Sequence, residues 1–286
     1  MAKRRANLND LLNDLTFRVI FEKFKMIALN RFEWSGLPEG IEEKFIERYL
    51  FNYGMAIFFR DPDASFMCLQ AQPGGELNVY GEPLRFHAYG FGYHKTYKCD
   101  ECVIISNNKQ RIPTHDFVLF YANKITEAER TMDVNIKASK TPFIFTCDDK
   151  DVLTFKQIFQ RIDGNTPAIY ADKGLNLDSI QVLQTGVKFM GNELLDYKNS
   201  VESEFLTFLG VNNVPVDKKE RLITDEAQSN NELIHSFLDV QLESREKACE
   251  EINKKYGLNV SVKLRQKEVE EYVPLDNQQR TGTVNR

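Results

Sequence analysis

Three long stretches of this chain repeat apolar residues at intervals of three and four, and a fold has to give each of these stripes a partner. From Asn7, the positions Leu8, Leu11, Leu12, Leu15 and Val19 mark an amphipathic helix that runs to about Arg31, with Asn7 and Asp10 suited to its start. Pro113-Thr114 opens a second helix, lined on one side by Val118, Tyr121, Ile125, Ala128, Met132 and Ile136 and ended by Lys140-Thr141-Pro142. A third reads from about Val187 to Leu209, with Leu194, Tyr197, Val201, Phe205 and Phe208 in line and Gly210 as its stop. Stripes this narrow suit helices that pack along other helices.

The segments between them have other periods. After the aromatic corner FEWSGLP, a short helix follows Pro38 with Ile41, Phe45, Tyr49 and Leu50 on one side and Gly54 near its end. Residues 55 to 112 break into MAIFF, FMCLQ, LNVYG, LRFHAYGFGYHKTY and CVIISNN, separated by Asp-Pro, Pro-Gly-Gly and Asn-Asn turns, which predicts a small antiparallel sheet or barrel. Residues 143 to 186 read as strand, helix, strand. The acids Asp148, Asp149 and Asp151 stand ahead of that helix, where carboxylates favour the positive end of its dipole. The fold class is therefore α+β.

KKERLITDEAQSNNELIHSF, residues 218–237, begins as a capped helix, with Asp217 and Glu220 as a capping box and Leu222 and Ile223 as its apolar contact. Four polar residues, Gln228, Ser229, Asn230 and Asn231, then interrupt the pattern, and a break in the helix is expected there. Helical spacing returns over Leu238 to Tyr256, Gly257 caps it, LNVSVKLR alternates as a strand, and the last residues form a polar tail.

Composition narrows the function. No apolar run approaches the roughly 18 to 20 residues of a membrane span, and MAKRRANLND lacks the apolar core of a secretory signal, so a cytoplasmic protein without a membrane partner is expected. A net charge of -5 rules out nucleic-acid binding through bulk electrostatics, although Lys3, Arg4 and Arg5 form a local basic arm. The five cysteines fit free thiols. Cys99 and Cys102 form one CxxC with His87 and His94 upstream, the basis of a competing reading as a zinc-dependent nucleic-acid enzyme or binding module. The two acids inside Cys-Asp-Glu-Cys favour a hairpin with incidental cysteines and no metal. Walker, GxSxG, HExxH, kinase and Rossmann signatures are all missing, which argues against an enzyme and against a nucleotide cofactor.

Six segments occur in a telling order: the basic arm, FEWSGLP, Lys140-Thr141-Pro142, TFLG at 207–210, KKERLITDE at 218–226 and REKACEEINKKYGLNVSVKLR at 245–265. Together they resemble the head-tail connector, also called upper collar or portal protein, of picovirus-type short-tailed bacteriophages. The resemblance implies a ring of about twelve subunits at one capsid vertex, through which double-stranded DNA is packaged, retained and ejected. It implies a portal-type subunit: a basic arm at 1–7, a helical stem and wing at 8–54 and an SH3-like wing at 55–112. A stem helix at 113–140, a narrow-end clip at 141–186, and a stem helix and turn at 187–226 follow. A channel loop at 227–239 and a wide-end helix, strand and tail at 240–286 complete it. Implied partners are the major capsid and scaffolding proteins, a lower collar or tail protein, a packaging ATPase and a packaging RNA. Under this reading Val118, Tyr121, Ile125, Leu194, Val201 and Phe205 face neighbouring subunits. Lys188, Lys198, Gln228, Ser229, Asn230 and Asn231 meet DNA, and Lys3, Arg4 and Arg5 meet the motor or its RNA.

Overall fold

The computed structural model describes residues 8–63, 65–140, 143–146, 181–184, 188–212 and 224–265, with backbone alone at 8–12, 140, 143–146, 181–184 and 224–231. Helix α1 (Leu8–Leu29) leads into strand β1 (Phe32–Ser35) and helix α2 (Glu43–Tyr53). Gly54 ends α2 at φ 76°, and only glycine fits, because a Cβ there would stand 1.8 Å from the carbonyl oxygen of Arg111.

Strands β2 (Met55–Arg60), β3 (Phe66–Pro73), β4 (Arg85–Gly90), β5 (Tyr93–Lys98) and β6 (Cys102–Ser106) form the expected antiparallel sheet, in the order β5-β4-β3-β2-β6. The run MAIFF lies between β3 and β6 and is buried on both faces, which is why it shows no polar alternation. Ala56 and Phe58 join Ile46 and Leu50 of α2 in one core. Met55, Ile57 and Phe59 join Phe86, Ala88, Tyr97 and Cys102 in another.

Helix α3 (His115–Lys140) leaves the sheet and reaches strand β7 (Phe143–Thr146), which pairs antiparallel with β8 (Gln181–Gln184) in the register Phe143 to Gln184. The helix expected between these strands lies outside the described residues, as do Asp148, Asp149, Asp151 and the capping box at Asp217 and Glu220. Helix α4 (Gly191–Phe208) follows, then α5 (Thr224–Tyr256) and β9 (Ser261–Leu264). The FEWS segment, expected as a corner, is a strand: Phe32 pairs with Leu264 and Trp34 with Val262, which ties the segment after α1 to the last described strand.

The expected loop at 227–239 is not a loop, because α5 is one helix of 33 residues through Gln228, Ser229, Asn230 and Asn231. Two causes overcome the polar interruption. Thr224 to Tyr256 contains neither Gly nor Pro, and Ser and Asn cost only about half a kcal/mol each against Ala. A buried stripe also anchors the helix, since Ile234, Leu238, Gln241, Arg245, Ala248 and Ile252 are all buried at alternating steps of four and three.

Candidate functional site

Helices α1, α3 and α4 bury Phe24, Ala28, Val118, Tyr121, Ala122, Ile125, Val201, Phe205 and Leu209 against one another. The Phe24 and Phe205 rings stack at 4.2 Å, and Tyr121 donates its hydroxyl to Glu204 at 3.1 Å. Burial, with the Glu204 carboxylate beside it, pushes the Tyr121 phenol up to about 12. Ion pairs tie the bundle on its outside, Lys23 with Glu202 and Lys198 with Glu129.

This packing corrects the expected subunit interface. Val118, Tyr121, Ile125, Val201 and Phe205 are spent on the chain's own bundle and present almost no surface to a neighbour. Leu194 is half-buried at the first turns of α4. Helices of the same chain cover part of the stripes of α3 and α4, whereas Ile136, Tyr197 and the α1 stripe at Leu15 and Val19 stay exposed.

A second set of apolar residues faces water. On α1, Leu15, Val19 and Met26 are 53%, 60% and 59% exposed and share one face at steps of four and seven. The opposite side of α1 carries Phe17, Ile20, Phe21, Phe24 and Ala28 into the bundle, so this helix has two apolar faces. Phe120 and Val134, exposed and four turns apart on α3, add a further stripe, and Leu195 and Tyr197 are exposed on α4. An isolated subunit leaves all of these in water.

The expected DNA contacts fall in three places. Lys188 is exposed just before α4, and its backbone is fixed by Asn135, whose Nδ2 donates to the Lys188 carbonyl at 2.9 Å while its Oδ1 accepts from the Met190 amide at 2.9 Å. Lys198 points to Glu129 on α3, which occupies its charge. Gln228, Ser229, Asn230 and Asn231 lie on the first two turns of α5, and Lys3, Arg4 and Arg5 lie outside the described residues.

Where bundle and sheet meet, the structure holds a buried polar cluster that sequence periodicity missed. Arg245 of α5 donates from Nε and Nη2 to the two carboxylate oxygens of Glu47 on α2, and from Nη1 and Nη2 to the carbonyl and side-chain oxygens of Asn107. Trp34 Nε1 donates to Glu47 at 2.9 Å. Arg31 donates to the carbonyls of Ala28 and Leu209 and to Gln241 Oε1, so one guanidinium closes the C-terminal ends of both α1 and α4. Burial, with Arg245 close by, pulls Arg31 down to about 9, which leaves it charged at neutral pH. The only hint in the sequence was an arginine at each of these positions within an apolar frame.

His87, His94, Cys99 and Cys102 do not converge on one point. His87 Nδ1 meets Thr96 Oγ1 at 2.8 Å, Cys99 Sγ faces the Pro83 carbonyl, and the buried Cys102 Sγ faces the Lys98 carbonyl. Burial pushes the Cys102 thiol up to about 12. The turn between the cysteines is held instead by α5, through Lys255 to the carbonyls of Asp100 and Cys102 and Tyr256 to that of Glu101. Among the described residues no group of three or more His, Cys, Asp or Glu side chains is placed to hold a metal ion. No described helix is long and apolar enough to cross a membrane.

A sequence model of the Phage Connector (GP10) family matches residues 3–269, nearly the whole chain. The chain belongs to the phage connector family. Among solved structures, this connector is similar to a chain in the portal and tail of native bacteriophage P68, with 16% identity over 94% of each chain and a TM-score of 0.49. It is also similar to an HK97 family phage portal protein from Corynebacterium diphtheriae, with 12% identity over 92% of this chain and 96% of that one and a TM-score of 0.45. A chain in the virion of a native gene transfer agent particle matches 90% of the connector at 11% identity, with a TM-score of 0.41. Family membership makes the connector a portal-type component of a phage virion.

Proposed function

We propose that this connector assembles into a closed ring of about twelve subunits at one capsid vertex and conducts double-stranded DNA during packaging, retention and ejection. The family match over residues 3–269 carries this reading. It is supported by the two-faced α1: one face closes the subunit, and the exposed Leu15, Val19 and Met26 are left for the neighbouring subunit, in place of the buried residues first expected there. Lys188 and the polar Gln228, Ser229, Asn230 and Asn231 serve as weak DNA contacts. Few fixed cations on an acidic chain let DNA slide, because each neutralised phosphate adds affinity that resists motion. Lys198 contributes only when it leaves Glu129.

In this reading the ring has no chemistry of its own. Force comes from a separate packaging ATPase, which docks at the narrow end together with a packaging RNA contacted by Lys3, Arg4 and Arg5. The lower collar binds later, and capsid and scaffolding proteins surround the wide end.

Mass photometry of the purified connector, followed by electron microscopy, tests the proposal. Closed rings near twelve subunits are the expected result. A protein that stays monomeric at micromolar concentration, or that turns over a substrate, overturns it.

A further inference from the structure

The described chain ends at Arg265, directly after β9, and residues 266–286 follow it. Their apolar side chains are bunched: Val269, Tyr272, Val273 and Leu275 stand close together, whereas residues 276–286 are polar apart from Gly282 and Val284. The point of departure is fixed. The Arg265 amide donates to the Arg31 carbonyl at 2.8 Å, and its Nη2 donates to Glu43 Oε1 at 2.6 Å. Arg31 in turn donates to Gln241 Oε1 at 2.7 Å and to the carbonyl of Leu209.

Gln241 and Phe208, the residue before Leu209, both line an apolar groove of about 310 Å3 where α3 begins, α4 ends and α5 passes. Its wall is a row of rings, Phe117 on Phe208 at 4.3 Å and Phe208 against Phe237 at 5.7 Å, with Ile112 and Val240 beside them. Among the described residues the groove stands open, and Ile112 and Phe237 remain 45% and 39% exposed.

We infer that residues 269–275 dock in this groove of their own subunit, with Val269, Tyr272, Val273 and Leu275 against the Phe117–Phe208–Phe237 wall. Reach does not limit the contact. Ten residues, Gln266 to Leu275, extend up to about 33 Å, and only the side chains of Arg31 and Gln241 separate the Arg265 amide from the groove lining. A segment tethered this closely meets the groove at an effective concentration of about millimolar, so it outcompetes a second copy or a free partner of equal intrinsic affinity. A tyrosine among aliphatic residues suits a wall of rings, because it buries a large area for few rotatable bonds and keeps a polar tip for the groove mouth. The docked segment straps α3, α4 and α5 together where they meet. The contact lies within one subunit, so it goes beyond the ring reading and does not depend on it.

The test combines Gln110→Cys, on the groove lining, with Glu271→Cys in a Cys99→Ser/Cys147→Ser background and oxidises the full chain under mild conditions. A disulfide within one chain is expected, seen as an unchanged subunit mass on a non-reducing gel and a joined pair of peptides carrying positions 110 and 271. Adding Phe237→Ser is expected to slow that linkage at least tenfold, which mere tethering of the segment would not do. Tyr272→Ser should slow it similarly from the other side of the contact and leaves α5 untouched. No linkage overturns the inference, and so does linkage only between chains, which gives the groove to a second copy. A linkage rate that neither serine variant changes also overturns it, since the segment then passes the groove without docking there.

Discussion

Arg245 on α5 and Glu47 on α2, 198 positions apart, meet as a two-pronged ion pair at 2.9 and 2.8 Å, with both side chains almost wholly buried. The pair closes the junction of sheet, helix bundle and long helix, because Asn107, Trp34, Gln241 and Arg31 are bonded to it or to one another. Buried charges of this kind add little net stability over apolar packing, but they penalise every arrangement in which the partners are apart.

Glu47→Gln leaves the Arg245 guanidinium buried without its counter-charge and is expected to cost about 3 to 5 kcal/mol in urea unfolding of the subunit. Glu47→Leu combined with Arg245→Met restores most of that loss, since no charge remains to be solvated. The acid limb gives an independent check. Burial raises the Glu47 carboxyl, but the Arg245 charge and the hydrogen bonds from Arg245 and Trp34 outweigh it and leave the group below its ordinary value of 4.5. Its contribution is therefore complete above about pH 4.5 and is lost as pH falls through the folded value. Glu47→Gln should flatten that part of the pH profile.

Helix faces separate folding from assembly. Val201→Asp or Phe205→Asp puts an unpaired carboxylate in the bundle core and is expected to abolish the cooperative melt of the subunit itself, seen by circular dichroism. Val19→Asp, on the exposed side of α1, should leave the melt within about 0.5 kcal/mol of the parent and remove rings in mass photometry. A Val19→Asp protein that still forms rings would free that face of α1 from the interface.

These helices show what was legible in the sequence. The three- and four-residue spacing located α1, α3 and α4 to within a few residues, and the turn chemistry located the sheet, because both depend on local pattern. Periodicity identifies an apolar face but not the partner that covers it. Val201 therefore read the same whether α1 of its own chain or a neighbour lay opposite. On α1 the leucine stripe drew attention, yet Phe24 and Ala28, a third of a turn or more away, form the core contact. The Arg245–Glu47 pair was invisible for a related reason: a contact across 198 positions leaves no mark on local spacing.

The cysteine turn responds to substitution without regard to metal. Cys99→Ser is expected to change stability by no more than about 0.5 kcal/mol, because the side chain is exposed. Cys102→Ser places a hydroxyl in the sheet core and should cost about 1 to 3 kcal/mol. A chelator should leave the melting temperature of the parent unchanged. Zinc bound one to one, lost together with the fold in the double variant, would restore the metal reading.

Gly54 offers a backbone test. A Cβ added there meets the Arg111 carbonyl at 1.8 Å, and Arg111 is itself held at φ 59°. Neither can move freely, since Asn107 and Asn108 both bond the adjoining loop at the Ile112 carbonyl. Gly54→Ala is expected to lower stability by about 1 to 3 kcal/mol, more than an exposed glycine such as Gly92 would lose. Thermal melts of the two variants side by side decide it.

The continuity of α5 is the last point open to direct attack. Because residues 228–231 are helical, Asn230→Pro removes a backbone donor within the helix and should cost about 3 kcal/mol, whereas Asn230→Ala should gain a few tenths. In a channel loop the order reverses, with proline tolerated and alanine neutral. Amide hydrogen exchange over 224–240 reads the same question without a substitution, because a continuous helix slows exchange through Gln228 and Asn231 where a loop does not. Helical placement also changes the proposed contact with DNA, because positions 228 and 231, three apart, fall on one face of a helix and positions 229 and 230 do not share it. A loss of DNA retention in Gln228→Ala/Asn231→Ala particles that exceeds the loss in Ser229→Ala/Asn230→Ala particles is the result expected of a helix, and equal losses are those expected of a loop.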